Sequence, residues 1–411
     1  MEIHMKSFNL ATIITAMAMT FCISSCSMAD MDSSMLDDTG MAPEASPEGG
    51  EPGEEPGGEG GNSQAGKVTA GEWNDLDNWA FWNGLMDGQN ENKFYEYLNY
   101  WSLYAYDRFA VTVLDEAQQP VCGAKVCLHM NGSETPEWTA ITDNKGSAEL
   151  WYGIHSSIDF EVEKIFTASV NGKSYETPLV RTSTRGEEAA MNFLTAAQTS
   201  VTRSADIAFI VDATGSMSDE INFLKADLLD IIQKASAQQA GLSLRTAALF
   251  YRDTGDAYVT KSENFSNDPK KTLEFIKKQE ARGGGDYPEA VHTALEKALQ
   301  DLSWEEGNYA RLAFLLLDAP PHHNQEVMES IRKSIETYAA NGIKLIPIAA
   351  SGVDKNTEFL LRLMAIFTDG TYVFITNHSG IGNDHIEPTI GQYQVELLNE
   401  LIVRLIGEYT E

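Results

Sequence analysis

Asp206-Ile-Ala-Phe-Ile-Val-Asp-Ala-Thr-Gly-Ser-Met-Ser-Asp219 is the stretch on which the architecture turns. Ile207 to Val211 is an unbroken apolar run, the pattern of a parallel strand buried on both faces. It stops at Asp212, and Thr214 and Ser216 follow at alternate positions. Ile221, Leu224, Leu228 and Ile231 then recur at helical spacing. A carboxylate and two hydroxyls, set where a strand gives way to a loop, suit one hard cation such as Mg²⁺.

Working outward, the same alternation of strand and helix continues to the C-terminus. Apolar strands are expected at Ile207–Val211, Thr246–Tyr251, Leu312–Leu317, Ile343–Ala349 and Thr371–Ile375. Helices are expected from Asp268-Pro269, from Asp286 to Glu289, and over Gln325–Ala340, Asn356–Ile366 and Gln394–Ile406. The implied fold class for residues 201–411 is α/β: a Rossmann-like, open, mostly parallel sheet with helices on both faces. Functional groups in such folds gather at the carboxyl ends of the strands. Three segments can meet there: the Asp212-x-Thr214-x-Ser216 loop, Gly283-Gly-Gly-Asp-Tyr-Pro-Glu289, and Leu315-Leu-Leu-Asp318-Ala-Pro-Pro-His322.

These three strings, in this order, resemble the von Willebrand factor A domain and its metal-ion-dependent adhesion site. The resemblance implies that Asp212, Thr214, Ser216 and Asp318 hold the metal, Mg²⁺ (or Mn²⁺/Ca²⁺). The family also uses a threonine from the middle loop, and none stands there. Asp286 is the nearest candidate: it either replaces the threonine as a ligand or caps its helix. Two direct carboxylates neutralise a divalent cation and three overshoot. The fewer there are, the more strongly the metal attracts an acidic group from a partner. His322 and His323 are read as ordinary loop histidines.

Upstream, residues 107–200 read as short alternating strands broken by turns. They include Phe109–Leu114, Ala124–Leu128, Ala148–Tyr152, Phe166–Val170 and Lys173–Glu176, with Asn171-Gly172 as a hairpin turn. The wording resembles the carboxypeptidase-regulatory-like modules, small β-sandwiches related to transthyretin. Arg181 to Arg203 reads as a polar connection. Cys122 and Cys127, five positions apart on one strand, leave a disulfide open only if Gly123 bends the chain. Residues 67–106 carry a dense run of Trp, Tyr and Phe, read as a collar against the next domain or, in the competing reading, a binding platform. Residues 27–66 are rich in Gly, Pro, Glu, Ser and Asp, the composition of a solvated acidic tether.

Residues 1–26 read as a leader: a basic start, then an apolar stretch too short for a comfortable membrane span. It ends in Ile23-Ser-Ser-Cys26, which resembles the lipobox of bacterial lipoproteins, with Cys26 as the lipidated residue. Ser27 after it favours the outer membrane of a Gram-negative cell, facing the periplasm or the outside.

Sixty-one acidic residues against 29 basic ones give a formal net charge of −32, which repels nucleic acid. No P-loop, GxSxG or HExxH string is present. The expected function is metal-dependent binding of a protein or glycan ligand that offers an acidic group, by a lipid-anchored envelope protein without turnover. The competing classes are a metal-dependent envelope hydrolase and a structural assembly subunit whose metal only stabilises the fold.

Overall fold

From Ala205 to Val211 every side chain is buried. Such a strand can lie only inside a sheet covered on both faces. The computed structural model describes residues 65–155, 164–182, 190–238, 241–382 and 384–410. The leader, Cys26 and all but the last two residues of the acidic tether lie outside them.

The described chain opens with β1 (Thr69–Trp73) and two short helices, α1 (Trp79–Leu85) and α2 (Glu96–Trp101). Seven strands follow: β2 (Asp107–Leu114), β3 (Lys125–Met130), β4 (Trp138–Ile141), β5 (Ser147–Tyr152), β6 (Phe166–Val170), β7 (Lys173–Tyr175) and β8 (Met191–Thr195). The rest alternates as β9 (Thr202–Asp212), α3 (Ile221–Gln238), β10 (Ser243–Tyr251), β11 (Thr260–Ser266), α4 (Pro269–Lys277), α5 (Val291–Asp301), β12 (Asn308–Leu317), α6 (Gln325–Ala340), β13 (Lys344–Ala349), α7 (Lys355–Phe367), β14 (Tyr372–Ile375), β15 (Glu396–Leu397) and α8 (Leu398–Thr410).

The large sheet runs β11-β10-β9-β12-β13-β14-β1-β15. Its five central strands are parallel, while β11, β1 and β15 add antiparallel. Side chains alternate along β9: Ile207, Phe209 and Val211 join a core with α3, α4 and α8, while Ala208 and Ile210 join one with α5, α6 and α7. The chain leaves β9 for β10 on one side and reaches β12 on the other, so the strand order reverses between β9 and β12. A crevice opens at that point, at the carboxyl ends.

Local chemistry sets the helix starts. Asp268, Asn324 and Asp354 accept hydrogen bonds from the Lys270, Val327 and Thr357 amides, and Pro269 fills a first-turn position that needs no donor. The helix expected from Asp286 starts only at Val291, with Ala290 at its N-cap, so Asp286 does not cap it. The cause is local. The Glu289 amide donates to Pro320 O (2.9 Å), which holds the chain extended until that bond is made.

The β-sandwich packs two sheets, β5-β2-β8 and β4-β3-β6-β7, as the sequence leads one to expect. The supposed polar connection contributes β8, which pairs parallel to β2. Cys122 and Cys127 are both free thiols. Trp138 and Trp151 from this module pack on Phe367 of α7, with ring centroids 6.2 and 5.2 Å apart. The aromatic segment goes further than a collar. Its first strand, β1, is a member of the α/β sheet, and Trp82 stacks on Phe359 at 5.8 Å. Among the described residues, no helix is long and apolar enough to cross a membrane.

Candidate metal centre

Strand β9 delivers Asp212 to the crevice, where three backbone bonds tie the neighbouring loops to it. The Ala213 amide donates to Tyr251 O (2.8 Å), Arg282 N to Ala213 O (3.0 Å), and Gly215 N to Gly283 O (2.9 Å). The Arg252 guanidinium braces the junction, donating to Ala213 O (3.1 Å) and Glu280 O (2.8 Å). Gly283 and Gly284 have φ of +84° and +73°, a region that side-chain-bearing residues rarely adopt. A Cβ on Gly283 would strike the Asp256 carboxylate, and one on Gly284 would sit 2.9 Å from Glu289 Oε1. Both glycines are therefore needed for the close approach.

Asp212 Oδ1 accepts from the Thr214 amide (2.8 Å) and the Thr214 hydroxyl (2.7 Å), and the Thr214 and Ser216 hydroxyls lie 3.1 Å apart. Asp212 and Thr214 are fully buried, whereas Ser216 opens to solvent. Asp318 follows the end of β12 and is 4% exposed. Asp212 Oδ2, Asp318 Oδ1 and Glu289 Oε2 are buried oxygens without a hydrogen-bond partner. A buried acceptor normally has one; the buried Tyr251 hydroxyl stands beside Asp212 as a donor, and three such oxygens in one crevice outnumber it, leaving demand for a further donor or a cation.

The electrostatics agree. Burial pushes the Asp212 and Asp318 carboxyls above the usual range, with repulsion from Asp253 adding at Asp212 and repulsion from Asp212 adding at Asp318. Burial and the surrounding Asp212, Asp253, Asp318 and Asp256 charges push Glu289 up to about 9. The basic groups nearby are engaged elsewhere: Arg252 with backbone carbonyls, and His322 with Asp253 Oδ1 (2.7 Å).

Among the residues named from the sequence, Asp212, Thr214, Ser216 and Asp318 come together. Asp286 is exposed in the glycine loop. His323 stacks on Tyr100 at 3.8 Å between ring centroids. Sequence reasoning passed over Glu289, Asp253 and Asp256. Glu289 stood in the quoted loop, but only its amide bond to Pro320 shows that it, and not Asp286, turns inward. Glu220, also missed, is buried just past the loop, with Oε1 accepting from Ser351 N (3.2 Å) and facing His385 Nε2 (2.9 Å).

A divalent cation fits this donor set on the structure's own terms: two carboxylates with unsatisfied oxygens, flanked by two hydroxyls. Among the described residues, no three Asp, Glu, His or Cys side chains form a ready cage. Any cation here would therefore rely on the hydroxyls.

Residues 206–358 match the family model of the von Willebrand factor A domain. Over 132 residues the chain is 30% identical to the putative ariadne-like RING finger protein R811 of Acanthamoeba polyphaga mimivirus, which covers 32% of this chain and 13% of that protein. Over 155 residues it is 27% identical to the alpha-protein kinase vwkA of Dictyostelium discoideum, which covers 38% and 24%. The chain thus spans 13% and 24% of those two relatives' lengths. Solved structures similar to it include the conserved hypothetical protein BatB from Bacteroides thetaiotaomicron (12% identity, 50% of this chain and 98% of that one, TM-score 0.35). Another is the SpRpn10 VWA domain (11% identity, 38% and 81%, TM-score 0.30).

Proposed function

We propose that this domain binds a divalent cation, Mg²⁺ (or Mn²⁺/Ca²⁺), through Asp212, Thr214, Ser216 and Asp318, and uses it to bind a protein or glycan partner. The observation that carries the reading is the pair of buried, unpartnered carboxylate oxygens on Asp212 and Asp318 beside two hydroxyls. When bound, the cation supplies an electrophilic centre for an acidic group of the partner. The chain's own part is to fix the donors. The Asp212 carboxylate orients the Thr214 hydroxyl, Thr214 sets Ser216, and Ser216 faces solvent where a partner arrives.

The reading is of a binding protein and not an enzyme. The Thr214 and Ser216 hydroxyls lean on Asp212 and on each other, an arrangement suited to ligation more than to nucleophilic attack. With Cys26 lipidated, the site would be displayed from the outer membrane on the acidic tether, as an adhesion module of the envelope.

Calorimetric titration of Mg²⁺ and Mn²⁺ into the EDTA-stripped full chain tests this. Saturable one-site binding that is lost in Asp212→Ala is the expected result. A folded wild-type chain that takes up neither ion would overturn it.

A further inference from the structure

We propose that Lys344 and Asp369 condense into an intramolecular amide, an isopeptide cross-link between β13 and the turn before β14, with Asp143 of the β-sandwich as proton acceptor. The site lies at the start of β13, at the opposite end of that strand from the crevice, and is independent of the cation reading.

The three side chains come from distant parts of the chain. Lys344 opens β13, Asp369 follows α7, and Asp143 stands in the turn between β4 and β5. Lys344 Nζ donates to Asp369 Oδ2 and to Asp369 O (2.9 Å), and lies 3.6 Å from Asp143 Oδ2. Amine and acid are thus held at the kind of separation, roughly 3–3.5 Å between reacting atoms, from which bound groups react.

The backbone fixes this contact. Asp369 has φ of +56°, a left-handed conformation that Asp tolerates better than most residues. Leu345 N donates to Thr368 Oγ1 (3.0 Å), and Gly370 passes so close that a Cβ there would lie 1.9 Å from Leu345 O. The turn carrying Asp369 is therefore clamped onto the residue after Lys344. Asp143 is fixed separately. Its Oδ1 accepts from the Lys145 and Ser147 amides, both at 2.9 Å, which leaves Oδ2 facing the amine.

The surroundings suit condensation. Lys344 Nζ sits 5.2 Å from the Tyr409 ring centroid, and a cavity of about 30 Å³ is lined by Phe367, Tyr409 and the three polar side chains. That is room for about one water molecule, the product that has to leave. Burial pushes the Asp369 carboxyl up to about 7, with Lys344 opposing and Asp143 adding. The protonated carboxyl is the form that an amine attacks. Burial lowers the Lys344 amine, but Asp369 and Asp143 more than reverse this, so a base must take its proton first.

Asp143 takes that proton from the ammonium. The freed amine attacks Cγ of the Asp369 carboxylic acid, the C–N bond forms, and the C–OH bond breaks. Of the three ammonium protons, one is then on Asp143, one leaves with the hydroxyl as water, and one stays on the amide nitrogen. No oxidant or co-reactant is consumed. Holding the two groups together favours the amide, since well-oriented pairs reach effective concentrations of about 10⁵–10⁸ M.

Peptide mass spectrometry of the purified full chain after trypsin tests this on the wild type alone. Lys344 should resist cleavage, and its peptide should be joined to the one carrying Asp369 at their summed mass less one water. On a denaturing gel the closed loop should run ahead of the unlinked chain. Lys344→Arg and Asp369→Ala should each abolish the linked peptide. Asp369→Asn should keep it, with ammonia as the leaving group. Asp143→Asn, which retains both reacting groups, should slow linkage by about 10²–10⁴-fold, the usual worth of a placed acid–base group. A folded wild-type chain cut at Lys344, with the Asp369 peptide at its unlinked mass, overturns the proposal. A link from Lys344 to Asp143 overturns the assignment of the electrophile, and wild-type linkage in Asp143→Asn overturns the role of Asp143.

Discussion

Two sets of carboxylates are buried in this protein, and they are treated in opposite ways. On the flank where the N-terminal segment meets α7, Arg362 is fully buried and forks onto Asp75, with Nη2 and Nε at 2.6 and 2.8 Å, while its Nη1 reaches Glu358 at 3.3 Å. Arg108 makes the same fork onto Glu149 with two bonds of 2.7 Å, and Lys344 serves both Asp143 and Asp369. In the crevice at the carboxyl ends of β9 and β12, Asp212, Glu289 and Asp318 have no basic partner and keep unsatisfied oxygens. Repulsion among buried charges costs stability unless something compensates it. The paired acids lock one layer to the next, and the unpaired ones stand where the proposed cation would bind.

The largest break in this comparison comes from unpairing the paired set. Arg362→Met removes the cation from Asp75 and strands that buried carboxylate, while Glu358 keeps Lys355 Nζ at 2.9 Å; the loss should cost about 3–5 kcal/mol. Urea unfolding of the full chain measures it. A loss below about 1 kcal/mol, the range of an ordinary surface pair, would show that Asp75 is not held by Arg362. The N-terminal strand should loosen with it, because Asp75 also accepts from Trp73 Nε1 of β1 (3.0 Å).

How much of this contrast could be read from the sequence depends on how local its causes are. The five central strands, the α6 span and the Asp268 cap were legible because an apolar run, a 3.6-residue stripe and a capping carboxylate act within a few residues. Asp212, Thr214, Ser216 and Asp318 were legible as a group because strand ends in a parallel sheet converge. Three features were not. Strand β1 joins the sheet through pairing with β14, some three hundred positions away in the chain, and TAGEW has no pattern that announces it. Strand β11, TKSENFS, is a polar edge strand that looks like a loop. Glu289 looks like one more residue after a proline until Pro320 is seen to hold its amide. Each was set by long-range contact, which periodicity does not report.

An intermediate effect should appear in the pH dependence. The Asp212 and Asp318 carboxyls are raised, Asp206 is raised to about 6, and Glu289 to about 9, with burial the first cause in each. An acid whose folded pKa lies above its unfolded value binds more protons when folded. The stability it confers is present at low pH and is lost as pH rises through the folded value. The EDTA-treated chain should therefore melt higher at pH 5.5 than at pH 8.5, by several degrees on a scale of about 2–4 °C per kcal/mol. Excess Mn²⁺ at pH 8.5 should recover most of that difference. A melting temperature that rises from pH 5.5 to 8.5 without metal would mean the crevice acids are compensated after all.

The smallest effect is the most discriminating, because the two sets of acids answer in opposite directions. In the paired set, neutralising an acid strands a buried guanidinium, so Asp75→Asn should destabilise. In the crevice, Asp318→Asn removes one charge from a repelling group and places an amide donor near Asp212, which has an oxygen free to accept. Without metal, that variant should be more stable than wild type by on the order of 1 kcal/mol, about one pKa unit of relieved repulsion. With excess Mn²⁺ the order should reverse, since the wild type gains the stabilisation of a bound ligand and the variant, short of one carboxylate, gains less. Paired urea titrations with and without Mn²⁺ read both signs. If Asp318→Asn destabilises the metal-free chain as Asp75→Asn does, Asp318 is held by the protein itself and the crevice is built like the flank.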